Sequence, residues 1–183
     1  MKRIIYYLLL IIALCFVSEV KAQNNYVKVD FGSDMNIDND LSNINNSLSF
    51  EYGYFLTENV ALGLEYSYGF KKEDYGYFDY NSHRFGLQSI YEINLYPYAC
   101  PYFKLGAGYR IYDTDYKYFE QIDCLDFKLG IGINAYVSDC VAIVFGADIS
   151  FVHWLDTYDV LGDFHVNKNA SILTPKIGLS YNF

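Results

Sequence analysis

The sequence predicts an all-β chain: an eight-stranded antiparallel up-and-down transmembrane β-barrel, preceded by a cleaved signal peptide. Three observations carry that expectation. Eight segments beyond the first 22 residues alternate apolar and polar side chains with the period of two that belongs to a strand with two different faces. Every charge within those segments falls on one parity, six cations against six anions. Long polar stretches and tight turns alternate as connections.

The chain begins with Lys2 and Arg3, then an uncharged run from Ile4 to Ser18, then Val20-Lys21-Ala22 before Gln23. This is the layout of a secretory signal peptide with cleavage after Ala22, so residues 1–22 are assigned to the signal and 23–183 to one barrel domain. Cys15 follows Leu14, where a lipoprotein signal needs a small residue, so lipidation is not expected. No later segment is apolar for the roughly 18–20 residues that a membrane-spanning helix requires, so any spanning falls to strands. Aromatic residues make up 20% of the chain, with 21 Tyr and 14 Phe, a density suited to a large lipid–water boundary. Losing Lys2, Arg3, Lys21 and Glu19 with the signal moves the formal charge from −9 to −11, which disfavours nucleic acid as a partner.

The first segment, from Tyr26 to Gly32, sets Val27, Val29 and Phe31 against Lys28, Asp30 and Gly32. In the second, Leu48, Phe50, Tyr52 and Tyr54 oppose Ser49, Glu51 and Gly53. The third opposes Leu62, Leu64, Tyr66 and Tyr68 to Ala61, Gly63, Glu65 and Ser67; the fourth opposes Phe85, Leu87 and Tyr91 to Arg84, Gly86, Gln88 and Glu92. Phe103, Leu105, Ala107 and Tyr109 then face away from Lys104, Gly106, Gly108 and Arg110. The sixth segment turns Leu125, Phe127, Leu129, Ile131 and Ile133 from Asp126, Lys128, Gly130, Gly132 and Asn134. The seventh turns Ile143, Phe145, Ala147, Ile149 and Phe151 from Ala142, Gly146, Asp148 and Ser150. The last runs to the final residue, with Leu173, Pro175, Ile177, Leu179, Tyr181 and Phe183 on its greasy side and Lys176, Gly178 and Ser180 opposite.

The face holding Lys28, Arg84, Lys104, Arg110, Lys128 and Lys176 also holds Asp30, Glu51, Glu65, Glu92, Asp126 and Asp148. Ten of the 13 Gly share it. Small residues beside long, mutually neutralised ions suit a narrow, filled, polar interior. The polar face of a soluble sandwich looks at water and needs neither charge balance nor sorting of glycine. Lipid offers backbone groups no hydrogen-bond partners, so the sheet must close, and eight strands of about 9–11 residues leave a bore that side chains can fill. The long connections are read at about 33–47, 69–82, 113–124 and 153–170, and the short ones at 57–59, 97–101 and 138–139. That alternation predicts extracellular loops with short turns and both termini in the periplasm of a Gram-negative bacterium. Pro175 removes a ladder donor and is therefore expected near the outer rim.

The final Phe183, with Ile177, Leu179 and Tyr181 at alternate positions before it, looks like the assembly signal of bacterial outer-membrane proteins. With "PYFKLGAGY" (Pro101 to Tyr109), the chain resembles the small eight-stranded barrels of the OmpA/OmpX type, in the outer membrane protein beta-barrel domain superfamily common in Bacteroidota. The resemblance implies outer-membrane lipid, lipopolysaccharide and the outer-membrane assembly machinery as partners. It names no ligand for the loops.

The balanced charges read as a structural salt-bridge network rather than a permeation filter, in which one sign is usually in excess. His83, His153 and His165, with Asp79, Asp156 and Asp163 near them in sequence, were weighed as a metal site or as the His-Ser-acid centre of a lipid A-modifying barrel. Ser82 and His83 have opposite parity, as do Ser150 and His153, so neither pair suits nucleophilic chemistry. No catalytic residue, metal or cofactor is expected. Cys100 and Cys140 flank short turns and are expected to form a disulfide, with Cys124 left at the opposite end. The expected role is structural: envelope integrity, or surface interaction through four loops. A narrow solute passage is the alternative and a lipid A-modifying enzyme the second.

Overall fold

The computed structural model describes residues 24–37, 44–70, 80–96, 98–116, 119–155 and 169–183. The signal segment lies outside them, as do Asp79, Asp156, Asp163 and His165. Eight strands follow in chain order: β1 (Asn25–Asn36), β2 (Ile44–Phe55), β3 (Val60–Phe70), β4 (Tyr80–Glu92), β5 (Ala99–Tyr116), β6 (Phe119–Tyr136), β7 (Val141–Trp154) and β8 (Asn169–Asn182). Each pairs antiparallel with its sequence neighbour, and β8 returns to β1 to close the barrel.

The register sets the dimensions. Following paired residues from Tyr26 through Gly53, Gly63, Gln88, Gly106, Lys128, Ser150 and Ile172 brings the path back to β1 at Asn36, ten residues further on. A stagger of ten over eight strands, at ~3.3 Å per residue and ~4.8 Å between strands, tilts the strands by about 40° from the axis.

The two tight turns leading into β3 and β7 share one design. Thr57 Oγ1 accepts from the backbone N–H groups of Asn59 and Val60, at 3.3 and 3.0 Å. Ser138 Oγ accepts in the same way from Cys140 and Val141, at 3.4 and 3.1 Å. A hydroxyl that mimics a backbone acceptor reverses the chain in four residues.

Three expectations are corrected. The stretch 113–124 is mainly strand rather than loop: β5 and β6 are 18 residues each and stay paired to Tyr116 and Phe119, with an irregularity between Asp113 and Tyr116. Pro175 sits mid-strand opposite Ala147, not at the rim. The β1–β8 ladder skips two pairs there, between Gly32–Lys176 and Met35–Leu173, so the missing N–H falls where pairing is already interrupted. Cys100 and Cys140 are not joined in a disulfide. Cys100 is paired in register with Asn134 of β6, and its thiol points to Asn94 Oδ1 at 3.5 Å; Cys140 lies in the turn beyond β6.

The outward face is apolar on all eight strands. Leu64, Leu87, Leu105 and Ile131 are each about 60% exposed or more. Exposure of large apolar side chains around the whole circumference requires an apolar solvent, which only lipid supplies.

Candidate functional site

The interior is built in three layers. At the end bearing the short turns, Tyr26, Ala61, Ile90, Tyr102 and Val144 pack into a buried apolar floor. Tyr112, Cys124, Val152 and Ile172, backed by Trp154 and Ala170, form a second apolar plug toward the long connections. The ion pairs lie between.

Those pairs form one connected network to which every strand contributes. Glu51 of β2 meets Lys28 Nζ at 3.3 Å, and Lys28 reaches Asp30 at 3.9 Å, both from β1. Asp30 meets Lys176 of β8 at 3.5 Å, and Lys176 meets Asp148 of β7 at 2.9 Å. Asp148 also receives Lys104 of β5 at 2.9 Å and Lys128 of β6 at 3.6 Å. Both lysines reach Glu65 of β3, at 3.5 and 2.6 Å, where Arg84 of β4 joins at 3.4 Å.

The register brings Arg84 and Arg110 directly opposite each other, an arrangement that repels unless an anion intervenes. Asp126 supplies it, taking Arg84 Nε on Oδ1 at 2.6 Å and Arg110 Nη2 on Oδ2 at 2.9 Å. Glu51 and Glu65 are likewise directly opposite and are held by lysines on either side. Tyr26 adds a 2.5 Å hydrogen bond from its hydroxyl to Glu51 Oε1.

Eleven of the twelve charges singled out from the sequence are thereby joined. Glu92 stands apart: it is buried at the short-turn end and accepts from Asn134 Nδ2 at 2.6 Å and from Tyr136 Oη at 3.4 Å. Asp34 takes its place in the network, meeting Arg110 at 3.6 Å, so the balance remains six against six. Asp34 falls within the stretch 33–47 expected as a long connection, but the structure places it in β1. Its parity with Lys28 and Asp30 was the available signal.

Two tyrosines also turn inward. Tyr26 lies against the cross-strand pair Gly53 and Gly63, and Tyr102 against the pair Gly132 and Gly146, so the same device recurs four strands apart. A Cβ on Gly132 would strike both the Tyr102 ring and the Phe145 carbonyl, whereas one on Gly106 would come no nearer than 3.3 Å to its neighbours. Gly132→Ala is expected to cost about 1–3 kcal/mol in urea unfolding from lipid, and Gly106→Ala less than about 1 kcal/mol. Equal midpoints for the two variants would contradict this packing.

A small void of about 10 Å³ inside is lined by Asp30, Ser47, Arg110, Lys128 and Lys176 among others. It has room for about one water.

On the outer face, Ile177 and Leu179 are exposed, and the Tyr181 and Phe183 rings stack with centroids 5.9 Å apart. Phe183 exchanges both backbone hydrogen bonds with Asn25, which ties the final residue to β1. The described histidines, His83 and His153, do not converge with serines. Ser82 is buried in the bore while His83 lies outside, bonded through Nδ1 to Tyr66 Oη at 2.9 Å and facing Asp113 at 3.5 Å through Nε2. Ser150 is fully buried, and the exposed His153 bonds Asn169 at 2.8 Å.

A closed antiparallel barrel with a lipid-facing apolar exterior and an ion-paired, filled bore defines an integral outer-membrane protein of the small eight-stranded class. The chain belongs to the outer membrane protein beta-barrel domain family, whose model matches residues 7–183. Its fold is similar to that of Neisserial surface protein A, with a TM-score of 0.71 at 15% identity over 87% of this chain and 97% of that one. It is also similar to the N-terminal barrel of Pseudomonas aeruginosa OprF, with a TM-score of 0.54 at 17% identity over 89% and 100% of the two chains. A third similar fold is Ail, the attachment invasion locus protein of Yersinia pestis, in complex with the heparin analogue sucrose octasulfate, with a TM-score of 0.57 at 12% identity over 87% and 98%. No curated protein sequence matches the chain.

Proposed function

We propose that this protein is a non-enzymatic structural and surface-interaction component of the outer membrane, with its long connections extracellular and its termini periplasmic. The observation that carries this reading is the filled bore: ion pairs contributed by all eight strands lie between two apolar clusters. A passage would need a continuous polar path, and the floor of Tyr26, Ile90, Tyr102 and Val144 interrupts it. Interaction with the outside then falls to the loops, which diverge freely on a fixed barrel.

The four long connections are net acidic in sequence, so a polyanion such as the heparin analogue held by Ail is not the ligand expected here. Lipopolysaccharide surrounds the barrel at the loop end, and the terminal Tyr181 and Phe183 face outward, where the assembly machinery would read them. In planar bilayers the purified barrel is expected to leave conductance at the lipid baseline, and deletion of the gene to alter detergent sensitivity or surface binding. Reproducible single-channel steps, or release of fatty acid from labelled lipopolysaccharide, would overturn the reading.

A further inference from the structure

Glu92 is the one sequence-selected interior charge outside the network, and its surroundings differ from those of the rest. Glu92 is only 6% exposed, and among the described residues its carboxylate makes no ion pair, because the nearby Lys28 is engaged by Glu51 and Asp30. Its hydrogen-bond donors are two neutral groups, Asn134 Nδ2 and Tyr136 Oη, and Tyr136 in turn accepts from Asn182 Nδ2 at 3.3 Å. The other polar atom of the Asn134 side chain, Oδ1, is buried with no hydrogen-bond partner. A buried carboxylate without a counter-ion beside an acceptor without a donor is a pair of unmet demands for N–H groups and positive charge.

Glu92 and Tyr136 both line a cavity of about 740 Å³ at the short-turn mouth of the barrel; Asn134 does not line it but is held to Glu92 by the 2.6 Å hydrogen bond. The walls carry the aromatic rings of Tyr54, Phe55, Tyr96 and Tyr98, and the rim carries Glu58 and Asp139. Below lies the apolar floor, so whatever enters stops at Glu92. Aromatic faces around a carboxylate are the chemistry that recognises an organic cation, through the ring quadrupole and a charge-assisted hydrogen bond.

We propose that the short-turn mouth is a binding site for a primary alkylammonium group, with the ammonium donating to the Glu92 carboxylate and the alkyl chain lying among Tyr96 and Tyr98. The site is a dead end, distinct from the network above it.

The test uses the full barrel folded in a non-ionic maltoside detergent, since a choline headgroup would compete. Titration with n-butylammonium, followed by NMR of the labelled Asn134 side-chain amide, should give a saturable shift that n-butanol and potassium chloride at equal ionic strength do not produce. Glu92→Gln should weaken the apparent affinity at least tenfold. Should that variant fail to fold, the Tyr96→Ala/Tyr98→Ala variant decides, since both rings are exposed at the mouth and their loss leaves the floor intact. A several-fold weakening there supports the site. An unchanged titration in either variant, or the same shift from potassium chloride, overturns it.

Discussion

Asp148→Asn lowers the unfolding free energy of the lipid-embedded barrel by about 3–5 kcal/mol, the cost typical of breaking a buried ion pair by removing one partner. Asp148 is chosen because three cations converge on its Oδ2: Lys104 and Lys176 at 2.9 Å and Lys128 at 3.6 Å. Neutralising it leaves six cations facing five anions in the network, where all three lysines are nearly inaccessible to solvent. Glu65 and Asp30 still hold those lysines at 2.6–3.5 Å, which keeps the loss within that range rather than beyond it.

Adding Lys104→Met removes one of the surplus charges and restores neutrality. The double variant is therefore expected to be more stable than the sum of the two single losses by at least ~1 kcal/mol, and bilayer conductance to stay at baseline throughout. Urea unfolding of the four proteins in vesicles measures the coupling. Strict additivity would falsify the claim that the network acts as one electrostatic unit.

Leu87→Arg costs about 2–4 kcal/mol in the same assay, whereas Val137→Arg costs at most about 1 kcal/mol. Leu87 is 67% exposed and lies in the middle of β4, paired with Leu64 and Ala107 in the apolar band. Val137 is 64% exposed but lies in the turn after β6. Their accessibilities are nearly equal, so a water-solvated face would tolerate both substitutions alike. Only a hydrocarbon layer centred on the strands penalises the first and lets the second reach the interface. Equal, small losses would remove the reason for placing this surface in lipid.

How far these sites could be read from the chain varies with the kind of information each required. The inward parity of Lys28, Glu51, Arg84 and Asp148 was legible because a strand alternates faces and a charge cannot point into lipid. The same rule applies to Asp34, Tyr26 and Tyr102, but tyrosine is compatible with either face, and the polar sequence around Asp34 does not distinguish a strand end from a loop. The third long connection is shorter than its polarity suggests, because polar residues from Asp113 to Asp123 mark emergence from the membrane, not the end of a strand. Pro175 was misplaced for a related reason: sequence shows that a donor is missing but not which neighbouring ladder has a gap to receive it.

The amino-acid sequence by itself determined that eight two-faced strands must close on themselves and which side chains enter the bore, because alternation and the exclusion of charge and bare backbone groups from hydrocarbon act residue by residue. Only the tertiary structure decided which ion meets which, that Glu92 is left out while Asp34 is drawn in, and that an apolar cluster lies on either side of the network. Those outcomes depend on the ten-residue stagger of the closed sheet, which sets side chains from distant strands at one height. That stagger is a property of closure, and no single strand carries it.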